Sequence, residues 1–234
     1  MTTTGLLERV RSLKVRVIDD RREEGEDIRQ LLAGNQVEAE VVVPLRKQSM
    51  EELARELQGS PCTAVLCDHR LSETSGVRYT GAQLASALNR LQLPSVLFSS
   101  FTDPEHSPEI RAELAHLPSY LSRDQLYRFD QIAIALDVAC NEVLLNQPPL
   151  TRQKFPTVVR VVEVRKANGK WRASVIVPAF DPRQIVEIPL ADLDIALQDA
   201  PHLAVGRRYM ALINVCAESA HEVFVTDARP AVEL

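Results

Sequence analysis

Three aspartates in this chain stand where apolar runs end. Val15-Arg16-Val17-Ile18 leads into Asp19-Asp20, and Thr63-Ala64-Val65-Leu66-Cys67 leads into Asp68. If both runs are parallel strands of one sheet, their carboxyl ends open on a single crevice, the place where open α/β sheets bind ligands. Clustered carboxylates suit a hard divalent cation such as Mg²⁺. One member of the set could then meet a phosphoryl group across the metal. A carboxylate attacks phosphorus only when the charge on the transferring group is neutralised. A metal at Asp19, Asp20 and Asp68 would supply much of that neutralisation, and a cation at another strand end the rest. Two more segments carry fitting groups: Ser99-Ser100 offers a hydroxyl, and Tyr120 precedes Leu121-Ser122-Arg123. An Asp-Asp pair after a strand is, taken alone, equally an ordinary helix cap, so the joint pattern carries the reading. His69 is expected to face solvent. His106, His116, His202 and His221 lack ligand spacing, which argues against zinc.

The elements that must position these groups are legible as alternating patterns. Apolar runs at 14–18, 37–43, 63–67, 95–99 and 119–121 predict five strands. Between them, 20–32 carries Ile28, Leu31 and Leu32 on one helical face and stops at Gly34, and 81–91 carries Leu84, Leu88 and Leu91 at helical intervals. Ser49 and Glu52 have capping-box spacing at the start of a helix over 49–57. A helix over 103–117 is interrupted by Pro104 and Pro108. The sum is an α/β fold, a five-stranded parallel (βα)5 flavodoxin-like sandwich spanning 1–146. Its last helix is expected to run unbroken over 124–145, because Leu126, Phe129, Ala133, Leu136, Cys140 and Val143 recur at steps of three and four. That seam either packs on the sheet and reaches toward the next domain, or pairs with a second helix in a homodimer or partner.

Asn146-Gln147-Pro148-Pro149 ends the helix, and 147–156 reads as a linker. Beyond it the pattern changes to strands at 157–165, 171–177, 185–188, 207–215 and 223–226, with an Asn168-Gly169 hairpin turn and a short helix or turn at 192–197. A small antiparallel β-barrel of SH3-like or OB-like type over 157–234 is expected. Its first hairpin carries Arg160, Arg165, Lys166, Lys170 and Arg172 around Trp171. That composition fits single-stranded nucleic acid, a protein contact, or a solvated hairpin with one core tryptophan.

The 234 residues are 45% hydrophobic and 25% charged, with a net charge of −5, which disfavours a general nucleic-acid binder. Acidity is concentrated early: 22 acidic against 16 basic residues before position 151, then 10 against 11. Cys62, Cys67, Cys140 and Cys216 form no C-x-x-C pair and read as free thiols. No apolar run approaches the roughly 20 residues that span a bilayer, and Met1-Thr2-Thr3-Thr4-Gly5 has no signal-peptide core. A soluble, cytoplasmic protein is expected.

On the strand order together with Asp19-Asp20, Asp68, Gly76, Ser99, Tyr120 and Arg123, residues 13–140 resemble the receiver domain of two-component response regulators. The resemblance implies that Asp68 accepts a phosphoryl group from a phosphohistidine on a sensor histidine kinase or phosphotransfer protein. It implies Mg²⁺ held by Asp19, Asp20, Asp68 and the backbone carbonyl of Arg70. Ser99 and Tyr120 would move together to report the modification to a downstream protein partner. Arg70 and Phe101 would border the path of hydrolytic water, the bulk of Phe101 implying slow loss of the phosphoryl group. The chain departs from the family in having Arg123-Asp124 where lysine and proline are usual, and Ser72-Glu73-Thr74-Ser75 without the proline usual after Leu71. The expected function is an atypical response regulator, not an enzyme with an external substrate. The alternatives are a pseudo-receiver adaptor that is never phosphorylated, and a Mg²⁺-dependent phosphohydrolase, for which His69-Arg70 supplies no acid/base carboxylate. No helix-turn-helix follows the linker, so DNA is disfavoured.

Overall fold

The computed structural model describes residues 3–72, 75–99, 108–167, 169–199 and 201–231, and it divides into two compact units, 1–147 and 148–234. Ser100, Phe101, Pro104, His106 and Asn168 lie outside the described residues, as do Glu73 and Thr74. No helix among the described residues is long and apolar enough to cross a membrane.

The first unit is built on five short strands, β1 (Lys14–Ile18), β2 (Glu38–Val42), β3 (Ala64–Asp68), β4 (Ser95–Ser99) and β5 (Tyr120–Ser122). They pair in parallel in the order β2-β1-β3-β4-β5, the doubly wound flavodoxin-like arrangement. Every residue of β3 and β4 is buried, as suits central strands covered on both faces. Helices α2 (Arg22–Gly34), α3 (Met50–Gly59), α4 (Gly81–Arg90) and α5 (Pro108–Glu113) intervene. Ser49 and Glu52 close the capping box that starts α3, and Thr80 and Gln83 form another at α4.

The long last helix is not one helix. Ser122 caps a short turn, α6 (Arg123–Leu126), through a capping box with Gln125, and Arg128 is extended at φ −118° and ψ 104° before α7 (Phe129–Leu145) begins. The break falls between Leu126 and Phe129, which keep their spacing of three, so apolar periodicity alone could not show it. The buried stripe of α7, Ile132, Ala133, Ala135, Leu136 and Ala139, joins the core with Val96, Phe98 and Leu121. Much of the expected pairing seam is therefore spent on the sheet.

The sequence reading also missed α1 (Thr3–Arg11), a short helix that buries Val10 and sets Leu7 three residues before it on the same side. Val10 joins the core with Val15, Ile28 and Leu32, Leu7 packs against it, and Arg9 pairs with Asp137 of α7.

The second unit is one antiparallel sheet of β6 (Phe155–Ala167), β7 (Lys170–Val177), β8 (Asp181–Pro189), β9 (Arg208–Ile213) and β10 (Val225–Pro230). Its order is β10-β9-β6-β7-β8. Three short 3-10 turns between β8 and β9 contribute Leu190, Leu193, Leu197 and Ala204 to its core. β8 starts earlier than the expected 185–188: Asp181-Pro182 lies in the strand, beside the irregularity in its pairing with β7 between Val175 and Val177.

Val10 is 1% exposed, so Val10→Ala should leave a cavity under α1 and lower stability by about 2 kcal/mol. Urea unfolding checks this, and an unchanged midpoint would show α1 to be an ornament.

Candidate functional site

Strand register builds the site before any side chain is considered. Ile18 pairs with Cys67, so the residues that follow them, Asp19 and Asp68, leave the sheet side by side. Asp20 is next along the chain, and one carboxylate oxygen from each of the three lies within 4.8 Å of the others. All three residues are buried, at 1%, 6% and 5% exposure for Asp19, Asp20 and Asp68.

Two backbone amides aim into this cluster. Arg21 N–H donates to Asp19 Oδ1 at 2.8 Å, and Arg70 N–H donates to Asp68 Oδ2 at 2.9 Å. Asp19 Oδ2 is buried and has no hydrogen-bond partner among the described residues. Burial pushes the Asp68 carboxyl up from 3.8 to about 7; the charge of Asp19 adds to the rise, the Arg70 amide opposes it, and Asp20 raises it further. Asp19 is also raised by burial, against the Arg21 amide and the charge of Arg123. An orphaned buried carboxylate oxygen inside an all-oxygen donor set fits a hard divalent cation, Mg²⁺ in type.

The other expected residues stand around this pocket. Ser99 is buried at the end of β4, one residue past Phe98, which pairs with Asp68. Tyr120 opens β5, half-buried, opposite Leu97. Arg123 follows β5, and its charge acts on Asp19, yet its guanidinium pairs with Glu24 of α2. Glu24 also binds Arg21 at 2.7 Å. Beside this pair lies a cavity of about 210 Å³ lined by Glu24, Asp27, Ile28, Arg123, Leu126 and Tyr127. Sequence reasoning missed Glu24; its spacing of three from Arg21 on a helix was the available signal.

One expectation needs correction. His69 is buried, not solvent-facing. Its N–H donates to Phe98 O and its carbonyl accepts from Gly81 N–H, so it continues the β3 edge between β4 and α4. Burial accordingly lowers its pKa. Gly76 takes φ +67°, as a sharp turn requires, and a Cβ there would meet nothing among the described residues, whereas a Cβ on Gly81 would overlap the backbone carbonyl of Asp68. The glycine that touches the site is therefore Gly81, and the Thr80–Gln83 capping spacing around it was legible in the sequence.

No family model matches the sequence, and no curated protein matches it either. Several solved structures resemble it over a little more than half its length. One is the N-terminal domain of a response regulator/sensory box/GGDEF 3-domain protein from Carboxydothermus hydrogenoformans, 20% identical, covering 57% of this chain and 98% of that one, with a TM-score of 0.42. A CheY-like response regulator receiver domain protein from Methanospirillum hungatei is 18% identical over 56% of this chain and 99% of its own, at a TM-score of 0.43. A response regulator receiver domain protein from Clostridium thermocellum is 18% identical over 58% and 99%, at 0.44.

Without metal, folded Asp68 keeps a proton between about pH 4 and 7 that the unfolded chain has released, so its ionisation costs stability as pH rises through that window. Asp68→Asn in chelator should therefore be more stable than the parent at pH 8, by on the order of 3 kcal/mol, with the gap closing toward pH 4. Urea midpoints at several pH values check this, and a pH-independent gap would contradict it. Gly81→Ala should cost about 3 kcal/mol, because the clash is with backbone rather than a movable side chain. Thermal melting measures it.

Proposed function

We propose that this chain is an atypical response regulator whose first unit accepts a phosphoryl group on Asp68. The observation that carries this reading is the buried triad of Asp19, Asp20 and Asp68, with one Asp19 oxygen left without a partner. Asp19, Asp20 and Asp68 would hold Mg²⁺ together with the backbone carbonyl of Arg70. When bound, the metal neutralises the phosphoryl oxygens and the carboxylates that face them. A carboxylate oxygen of Asp68 forms the new bond to phosphorus as the phosphorus–nitrogen bond of a phosphohistidine breaks, and the electron pair leaves with the imidazole. The donor would be a sensor histidine kinase or phosphotransfer protein. Ser99, at the end of β4, offers its hydroxyl to a phosphoryl oxygen, and Arg123 supplies positive charge at the end of β5. Tyr120 on the same strand is placed to report the change to a downstream protein. The second unit, a sheet that fits a small SH3-like or OB-like barrel, serves as the output module, and the protein works in the cytoplasm.

A second reading has one observation in its favour. Arg123 is paired with Glu24, and a cation fully held there would leave a pseudo-receiver that works as an adaptor without phosphorylation.

Beryllofluoride, a mimic of the phosphoryl group, separates the readings by isothermal titration. A Mg²⁺-dependent complex that is lost in Asp68→Asn is the expected result. Absence of binding by a folded protein favours the adaptor, and turnover of a generic phosphate ester would favour a phosphohydrolase instead.

A further inference from the structure

The second unit holds charges that its own fold does not use. In β6, Val159 and Val161 point into the core while Pro156, Val158, Arg160 and Val162 point outward. In β9, Tyr209, Ala211 and Ile213 point inward and Arg208, Met210 and Leu212 outward. Register sets Arg160 directly opposite Arg208, and Val158 opposite Met210. Arg229 of β10 flanks Met210 on its other side, and Ile176 of β7 flanks Arg160. Three arginines therefore occupy neighbouring positions on one sheet face, with Val158, Met210 and Ile176 beside them.

Arg160, Arg208 and Arg229 are all exposed, and none makes an ion pair among the described residues. Arg165, further along β6, is by contrast satisfied by Glu187 at 3.1 Å. Like charges directly opposite each other weaken an antiparallel pair. Overall composition does not force the arrangement, since residues from 151 onward hold 11 basic and 10 acidic side chains. A fold that sets two arginines face to face without an acid between them gains when an anion is brought from outside.

We propose that this face docks an acidic, aliphatic-bearing segment of a partner protein. Guanidinium groups take carboxylates with paired donors, and Val158, Met210 and Ile176 between them offer apolar area to alternate side chains of an extended segment. Single-stranded nucleic acid fits less well. No aromatic side chain stands among the outward residues of β6, β9 and β10 named above, so the stacking that holds bases is missing. Trp171 of β7 packs against the core with Lys166 over its ring at 5.6 Å.

The test titrates the full chain with a synthetic peptide of alternating glutamate and valine, its glutamine–valine counterpart, and an oligothymidylate, at low salt. The glutamate peptide should bind and the glutamine peptide should not. Affinity should fall at least about tenfold in the Arg160→Gln, Arg208→Gln, Arg229→Gln triple variant and on raising salt. Failure of the glutamate peptide to bind, equal binding by the triple variant, or tighter binding of the oligothymidylate through these arginines would overturn the proposal. So would a homodimer that the triple variant dissolves, because the face would then belong to a second copy. Folding supplies an independent reading: Arg160→Gln alone should raise the unfolding midpoint at low salt, and the gain should vanish at high salt. A lowered midpoint would mean that Arg160 serves the sheet itself, and would sink the idea.

Discussion

Three carboxylates share one buried pocket, and that crowding governs the first unit. Two unit charges at 4.8 Å repel by on the order of 3 kcal/mol at the effective dielectric of a protein site. The fold offsets part of this with the two amides of Arg21 and Arg70 and with the charge of Arg123. Burial first, and this repulsion after it, raises the carboxyls of Asp68 and Asp19. The rest of the unit must be rigid enough to hold the arrangement. Wholly buried β3 and β4, packed against α7 on one side, give that support.

Precision comes from register rather than from side-chain choice. Parallel pairing of Ile18 with Cys67 fixes where Asp19 and Asp68 emerge, and pairing of Asp68 with Phe98 fixes Ser99 beside them. The loop from His69 to Thr80 then has to return to α4 without moving Asp68. It does so by laying Gly81 against the Asp68 carbonyl, which no residue with a Cβ could do without shifting backbone. Thr80 and Gln83 start the helix at that residue. Cap, glycine and Asp68 are therefore one mechanical unit.

This division explains what the sequence alone could and could not reveal. The strands that carry the aspartates were legible because β-branched runs end in acids, a signal local to each strand. The shared pocket followed from topology. Gly81 was hidden because its role is a close approach across the chain, while Gly76, with its open surroundings and positive φ, lay at the more obvious spacing. The interruption at Arg128 was hidden because Leu126 and Phe129 keep a helical interval across it. Helix α1 was overlooked because it is short, and Leu7 and Val10 give only one helical interval. In the second unit the strands were visible, but the pairing of Arg160 with Arg208 depends on register between strands far apart in sequence.

Arg123 shows how the site and the surrounding helices are joined. An arginine at this point is longer than a lysine and carries a planar head with several donors, so it can serve two anions at once. Here it pairs with Glu24 while its charge still reaches Asp19. A phosphoryl group on Asp68 would bring added negative charge to the pocket side, whereas Glu24 on α2 shares its carboxylate with Arg21. The balance would then tilt Arg123 inward and loosen its hold on α2. Because Arg123 opens α6, immediately before the break at Arg128, that tilt acts where the chain is already divided into two helices. Arg123 is thus the residue that ties charge in the pocket to the α2–α6 surface.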